Sequence, residues 1–350
     1  MVVQLFRNQS KCFAVQSYVK FAAKSARFVP SKHRAFCARL RPSARGSVER
    51  AMLASIAATH FGFSRRGARL CRRATTMSAE APALITFDFT GTLFEPRSSV
   101  GVLYRQVLQN EAVRESAACG EAADSLSVAA LDAAFRSAYA AAAEAHPCFG
   151  AGSLSSEAWW RGVVEATIAG AAGPDVFPAL APALPPAFEE LFGSTFVSAQ
   201  GWRPMPSAVE SLQALSAWRA AQPIAERPSV GVISNWDERL PRLLDALGAS
   251  SHFDFVLTSR EVGVEKPAPL IFDRARELAG VSADARAVHI GDSVRNDVVG
   301  AAAVGWEAVY AKSAAKRARL GAAERAALDA APHRYVEDLS GLLPLLGCTG

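Results

Sequence analysis

Short apolar runs alternate with amphipathic stretches along the last three-quarters of the chain. Leu84–Phe87, Val230–Ile233, Phe255–Leu257, Ala287–Ile290 and Glu307–Tyr310 are apolar or β-branched and bounded by Gly, Pro, Ser or charged residues. That is the pattern of strands buried on both faces. Ser207–Ala220, Glu238–Leu247, Leu270–Ala279 and Asp297–Val304 lie between them with helical spacing. The alternation predicts an α/β fold, a parallel sheet flanked by crossover helices. The charged, Ala-rich stretch Ala311–Ala331 predicts one further, solvated helix. A short strand at Arg334–Val336 and a helix from Glu337 are expected to close the chain.

More than 100 residues, from Pro96 to Trp202, separate the first strand from the second. A simple crossover needs far fewer. The segment is Ala-rich with helical periodicity, as in Leu131, Ala134, Phe135, Ala138 and Tyr139, and a Pro, Gly and Ala-heavy stretch around Gly170–Pro186 interrupts it. The expected division is a core domain at residues 81–95 and 203–350, an inserted α-helical cap domain at 96–202, and a tail at 1–80. No internal repeat is visible.

Charge changes the picture only at the N-terminus. The net charge of +5 averages two unlike parts. Residues 1–80 hold sixteen Lys or Arg against Glu49 and Glu80, a net of +14, which leaves −9 for residues 81–350. The basic excess is therefore a tail, and a nucleic-acid partner is not expected. A Ser-, Ala- and Arg-rich, acid-poor tail is the composition of an organellar transit peptide, which predicts a chloroplast or mitochondrial matrix protein. The alternative is a basic extension that stays attached, or a cytoplasmic form begun at Met77. No apolar run is long enough to cross a membrane. The six cysteines lack metal-type spacing, so neither a zinc site nor a disulfide framework is expected. Nothing in the sequence sets an oligomeric state.

Four separated pieces carry candidate chemistry. The first strand ends at Asp88, followed by a turn through Thr90, Gly91 and Thr92. A carboxylate at the carboxyl end of a parallel strand lies where such folds bind ligands, and it can serve as nucleophile or metal ligand. As a plain structural residue it would merely end the strand. The second strand ends at Ser234 and Asn235, able to hold a phosphoryl oxygen or simply to cap the next helix. Lys266 precedes Pro267 and suits an anion, although most lysines are only solvated. Finally, Asp292 and Asp297 follow the Ala287–Ile290 strand, five residues apart. Oxygen-only ligands favour Mg²⁺ over zinc, and Asp297 also fits a helix cap.

Taken together and in this order, the pieces resemble the four motifs of the haloacid dehalogenase superfamily over nearly all of residues 83–350. Val232–Leu240, His252–Ser259 and the Trp159, Trp160, Val163, Val164 and Thr167 set resemble one subgroup within it, that of haloacid dehalogenase-like hydrolase domain-containing protein 3 and the insect rhythmically expressed gene 2 protein. The resemblance implies a Rossmann-like core with a helical cap and a Mg²⁺-dependent hydrolase acting on a small phosphorylated metabolite through an aspartyl-phosphate. By position, Asp88 is then the nucleophile. Asp88, the Thr90 carbonyl and Asp292 are metal ligands, and Asp297 ligates the ion or orients its ligands. Ser234 and Lys266 bind the transferring group, with Gly91, Thr92 and Asn235 beside it.

Thr90 departs from the superfamily pattern, which usually has an aspartate there as general acid–base. Its loss typically costs roughly 10²–10⁴ in rate. The expected outcomes are hydrolysis of substrates with good leaving groups, replacement of the acid by a cap residue, or a phosphate-binding protein with little turnover. Dehalogenation is the less favoured reading, because the resemblance implies that dehalogenases lack the carboxylate at Asp292. In the insert, Trp159, Trp160 and Arg161 have the chemistry to grip a phosphorylated ligand, while packing of cap on core is the plainer role for the tryptophans.

Overall fold

The computed structural model describes residues 81–117 and 119–348. The transit-peptide reading falls on residues 1–80 and lies outside the described residues. Among the described residues, no helix is long and apolar enough to cross a membrane.

Six strands form one parallel sheet. They are β1 (Leu84–Phe87), β4 (Ser229–Ser234), β5 (Phe255–Thr258), β6 (Ala287–Gly291), β7 (Glu307–Ala311) and β8 (Arg334–Val336), in the order β5-β4-β1-β6-β7-β8. Two further strands, β2 (Phe94–Pro96) and β3 (Trp202–Pro204), pair antiparallel in a separate ribbon. β1 lies between β4 and β6, with Phe87 opposite Val232 and Ile290. Asp88, Ser234 and Asp292 therefore leave the same edge of three adjacent strands.

Side chains alternate across the sheet with the period of a pleated strand. Ile85, Phe87, Val230, Val232, Val288 and Ile290 pack on one face against α5 (Ala208–Ala221) and α6 (Leu240–Ala246). Leu84, Ile233, Ala287, Ala308 and Tyr310 pack on the other against Ile271, Phe272 and Ala275 of α7 (Pro269–Leu278). Thr86 and His289 sit at opposed register positions of β1 and β6, both buried. A polar pair inside a parallel sheet needs a partner for each group, which directs attention to the strand ends below.

The segment between β2 and β3 is helical and has its own apolar cluster. α1 (Val100–Leu108), α2 (Val128–Ala145), α3 (Ser156–Leu180) and α4 (Leu184–Gly193) bury Tyr104, Leu131, Phe135, Trp159, Ile168 and Phe188 together. Ser127 and Ser155 cap α2 and α3 by accepting from the N–H three residues on. The ribbon brings the two ends of this insert together. Periodicity did not show these strands, because three-residue strands are too short to display alternation.

The break expected around Gly170–Pro186 falls inside α3, where Gly173 takes φ 71° and Pro174 starts the next segment, and buried residues continue through Leu180 and Ala187. Other sequence expectations differ from the structure. The single helix expected at Ala311–Ala331 is two short ones, Ala314–Arg317 and Ala322–Ala330. Ala311 is held in β7 by pairing with Val336, and Glu324 reaches back to the Gly321 N–H at 3.1 Å to start a new helix. The helix expected from Asp297 begins as a wide turn at Val294–Val299, capped by Ser293, before Gly300–Ala303.

Gly231 is set by packing. A Cβ at Gly231 in β4 would overlap the Phe255 ring on β5. Gly231→Ala is expected to destabilise the protein by about 1–3 kcal/mol, as overpacked cores do, measured by urea unfolding. Adding Phe255→Leu to that variant should recover part of the loss.

Candidate active site

Asp88 follows β1 directly, and its N–H donates to the Ile290 carbonyl at 2.8 Å, which extends the ladder to the site. Its Oδ1 accepts from Ser234 Oγ at 3.0 Å and from Lys266 Nζ at 2.9 Å. Among the described residues, no hydrogen bond falls on its Oδ2. Thus one oxygen is pinned and the other is left for chemistry.

Lys266 is 3% exposed and also donates to Asp297 Oδ1 at 2.7 Å. Asn235 fixes the backbone that carries it: Nδ2 donates to the Lys266 carbonyl at 3.1 Å, and Oδ1 accepts from the Lys266 N–H at 2.8 Å. Both ends of that amide are engaged. Asn235, read from sequence as substrate-binding, therefore serves the lysine loop through its side chain.

Asp297 is held from several sides. His289 Nε2 lies 3.2 Å from its Oδ1, and the Ser293 N–H donates to its Oδ2 at 2.7 Å. Thr86 Oγ1 lies 2.9 Å from His289 Nδ1, which accounts for the buried polar pair of β1 and β6. Gly291 makes room for this packing, since a Cβ there would overlap the Asp297 carboxyl group. The wide turn after Ser293 brings Asp297 back over the strand end.

Burial pushes the Asp88 carboxyl up to about 6; Lys266 opposes that shift, and Asp297 and Asp292 add to it. Asp297 moves the other way, because Lys266 and His289 outweigh its burial and hold it well below the usual carboxylate range. Burial would lower Lys266, but Asp297 and Asp88 raise it above its ordinary value. Burial and the Lys266 charge lower His289 to about 4, so it is neutral at pH 7. The environment thus separates two neighbouring carboxylates in acidity.

Asp292 is buried beside them, and one oxygen from each of Asp88, Asp292 and Asp297 falls within 4.8 Å of the others. This all-oxygen carboxylate set is the chemistry that a hard divalent cation such as Mg²⁺ takes, so the residues present fit the ion. Lys312, from the end of β7, pairs with Asp292 Oδ2.

Thr90 lies apart from the carboxylates' partners. Its Oγ1 accepts from Trp236 Nε1 at 3.0 Å, and Trp236 is packed against Phe89 and Trp202. Gly91 turns the chain at φ 85°, with its N–H on the Phe94 carbonyl at 2.7 Å. Among the described residues, Thr92 Oγ1 is buried without a hydrogen-bond partner, so that side chain is not joined to the groups around Asp88.

A model of haloacid dehalogenase-like hydrolases matches residues 82–305. The chain belongs to the haloacid dehalogenase-like hydrolases. It is similar to haloacid dehalogenase-like hydrolase domain-containing protein 3 of Bos taurus, 32% identical over 265 residues, covering 75% of this chain and 93% of that protein. It is also similar to the rhythmically expressed gene 2 protein of Drosophila melanogaster, 31% identical over 239 residues, covering 66% and 84%. A solved dehalogenase with an intermediate complex aligns with a TM-score of 0.50 at 17% identity, over 77% of this chain and 98% of that one, and shares its fold.

The helical insert of this haloacid dehalogenase-like hydrolase meets the core through the segment just after Ser234. Trp160 Nε1 donates to Asp237 Oδ2 at 2.6 Å, and Arg239 joins Asp237 to the Phe192 carbonyl at 2.8 Å. Arg260 pairs with Glu238 and donates to the Phe149 and Leu154 carbonyls. Trp159 instead packs within the insert, its indole N–H on the His146 carbonyl at 2.9 Å. Arg161 is exposed, lies over Phe188 and pairs with Glu157 and Glu189. Sequence reading missed His289, Lys312, Trp236 and Asp237. His289 carried a signal, being the polar residue in the middle of an otherwise apolar strand.

Because the folded Asp88 carboxyl is harder to ionise than the unfolded one, ionising it weakens folding. That penalty is absent below about pH 4 and complete above about pH 6. Asp88→Asn should therefore unfold at a higher temperature than the wild type at pH 8 in EDTA, by about 1–3 kcal/mol in stability, with the gap closing as pH falls toward 4. Thermal melts across pH read this directly.

Proposed function

We propose that this hydrolase is of the phosphatase type, in which Asp88 takes a phosphoryl group from a small phosphorylated metabolite and water releases it as phosphate. The observation that carries this reading is the division of labour on Asp88. Ser234 and Lys266 hold Oδ1, while Oδ2 has no hydrogen bond among the described residues. An anchored carboxylate with one available oxygen is a nucleophile in fixed orientation. Ser234 and Lys266 stand where donors can meet equatorial phosphoryl oxygens and balance their charge. Asp297, buried and ionised, holds Lys266 charged and in place. When bound by Asp88, Asp292 and Asp297, Mg²⁺ would supply further neutralisation of the phosphoryl oxygens. Retention of Asp292 favours this reading over attack on a carbon–halogen bond.

Thr90 sets the substrate class within it. The indole N–H of Trp236 occupies one lone pair of the hydroxyl, which leaves the other lone pair and the hydroxyl hydrogen for a ligand. An alcohol can donate a hydrogen bond but does not release its proton near pH 7. Leaving oxygens that need no protonation, as in acyl phosphates, suit such a site. The helical insert, tied to Asp237 and Arg260 beside the site, acts as a cap that closes over it.

Hydrolysis of a panel of phosphate monoesters and acyl phosphates, with Mg²⁺ and with EDTA, tests this. Cation-dependent turnover with acyl phosphates ahead of alkyl monoesters is expected, and Asp88→Asn should abolish it. Full activity in Asp88→Asn would sink the mechanism. Thr90→Asp should raise turnover of alkyl monoesters by roughly 10²-fold, part of what a positioned general acid contributes. No gain there would place the limit elsewhere than at Thr90.

A further inference from the structure

Lys312 is the buried charge at the site that the mechanism above does not use. It stands one residue past β7, and its backbone is fixed on two sides: its N–H donates to the Val336 carbonyl at 3.0 Å, and Tyr335 Oη donates to its carbonyl at 2.8 Å. The side chain is 3% exposed, with Nζ on Asp292 Oδ2 and 3.4 Å from the Asp292 carbonyl. It therefore occupies the carboxylate through which a cation would be held. Burying an ammonium is costly unless it is paired, so this placement is selected by the packing around it rather than left to chance at a surface.

Three carboxylates, Asp88, Asp292 and Asp297, face two ammonium groups, Lys266 and Lys312, which leaves one net negative charge among the five. A divalent cation would turn that balance to one net positive charge in a dry site. A phosphoryl dianion entering with the cation returns it to one net negative charge.

We propose that Lys312 is a built-in counter-ion that weakens binding of a divalent cation alone and makes the cation and a phosphoryl anion bind as a pair. The inference rests on the reading that Asp88, Asp292 and Asp297 hold the cation. It implies that the site loads with its substrate instead of standing charged with metal. Coupling of this kind is reciprocal, so the anion gains from the cation what the cation gains from the anion.

Titration calorimetry of Mg²⁺ into the full chain, with and without inorganic phosphate, tests it without any turnover. In the wild type, phosphate should tighten Mg²⁺ binding by about tenfold or more. Lys312→Met and Lys312→Gln should bind Mg²⁺ alone about 10–100-fold more tightly than the wild type, as removal of a cation a few ångströms away predicts, and should show less gain from phosphate. Lys312→Arg, which keeps the charge, should behave as the wild type. Circular dichroism melts identify which variants are folded, and the wild-type arm stands without them. Equal Mg²⁺ affinity in wild type and folded Lys312→Met or Lys312→Gln, or no effect of phosphate on the wild type, overturns the role of Lys312 alone. Failure of the wild type to bind Mg²⁺ with or without phosphate, indistinguishable from Asp292→Asn, overturns the cation reading and this inference together.

Discussion

Three carboxylates converge at the edge of one sheet, and their mutual repulsion in a buried setting is the constraint the rest of the site answers. Lys266 bridges two of them, reaching Asp88 at 2.9 Å and Asp297 at 2.7 Å. Everything around that ammonium keeps it there. Asn235 grips its backbone, His289 and the Ser293 N–H hold Asp297, and Gly291 leaves Asp297 the space to pack against the strand. Removing Lys266 would leave buried carboxylates uncompensated, commonly a loss of about 3–5 kcal/mol. The parallel order β4-β1-β6 makes the convergence possible, since it sends Ser234, Asp88 and Asp292 out of adjacent strands at one edge.

Much of this was legible in the sequence. Strands buried on both faces are continuous apolar runs, so the six sheet strands are visible with ends shifted by a residue or so, as in Val230–Ile233 against Ser229–Ser234. Asp88, Ser234, Lys266, Asp292 and Asp297 stand out because each follows such a run or a turn signal. What stayed hidden depends on contacts distant in sequence. Trp236 reaches Thr90 across 146 positions, and Thr86 pairs with His289 across 203. Lys312 looks like part of a solvated helix until β7 and β8 pair and carry it inward. Asn235 reads as a ligand residue because its spacing beside Ser234 cannot reveal that the Lys266 backbone takes both ends of its amide.

Thr90 and the insert show how one framework is tuned. In the proposed mechanism the core presents Asp88 as nucleophile whatever stands two residues later, whereas protonation of a leaving group depends on position 90, whose hydroxyl accepts from the Trp236 indole. The insert has its own apolar cluster and meets the core through polar groups, among them Trp160 on Asp237 and Arg260 on the Phe149 and Leu154 carbonyls. Such contacts exchange with water more readily than an apolar seam, which suits the proposed role of the insert as a cap.

Oxygen-18 tracing tests the central claim, that Asp88 accepts a phosphoryl group, most directly. During turnover of an acyl phosphate in ¹⁸O-water, water attacks phosphorus in an aspartyl-phosphate but attacks the carboxyl carbon in an ester to carbon. The account predicts ¹⁸O in the released phosphate, an unlabelled Asp88-containing peptide after turnover, and a phosphoryl group on that peptide when the reaction is quenched in acid part-way. ¹⁸O built into Asp88 would contradict it.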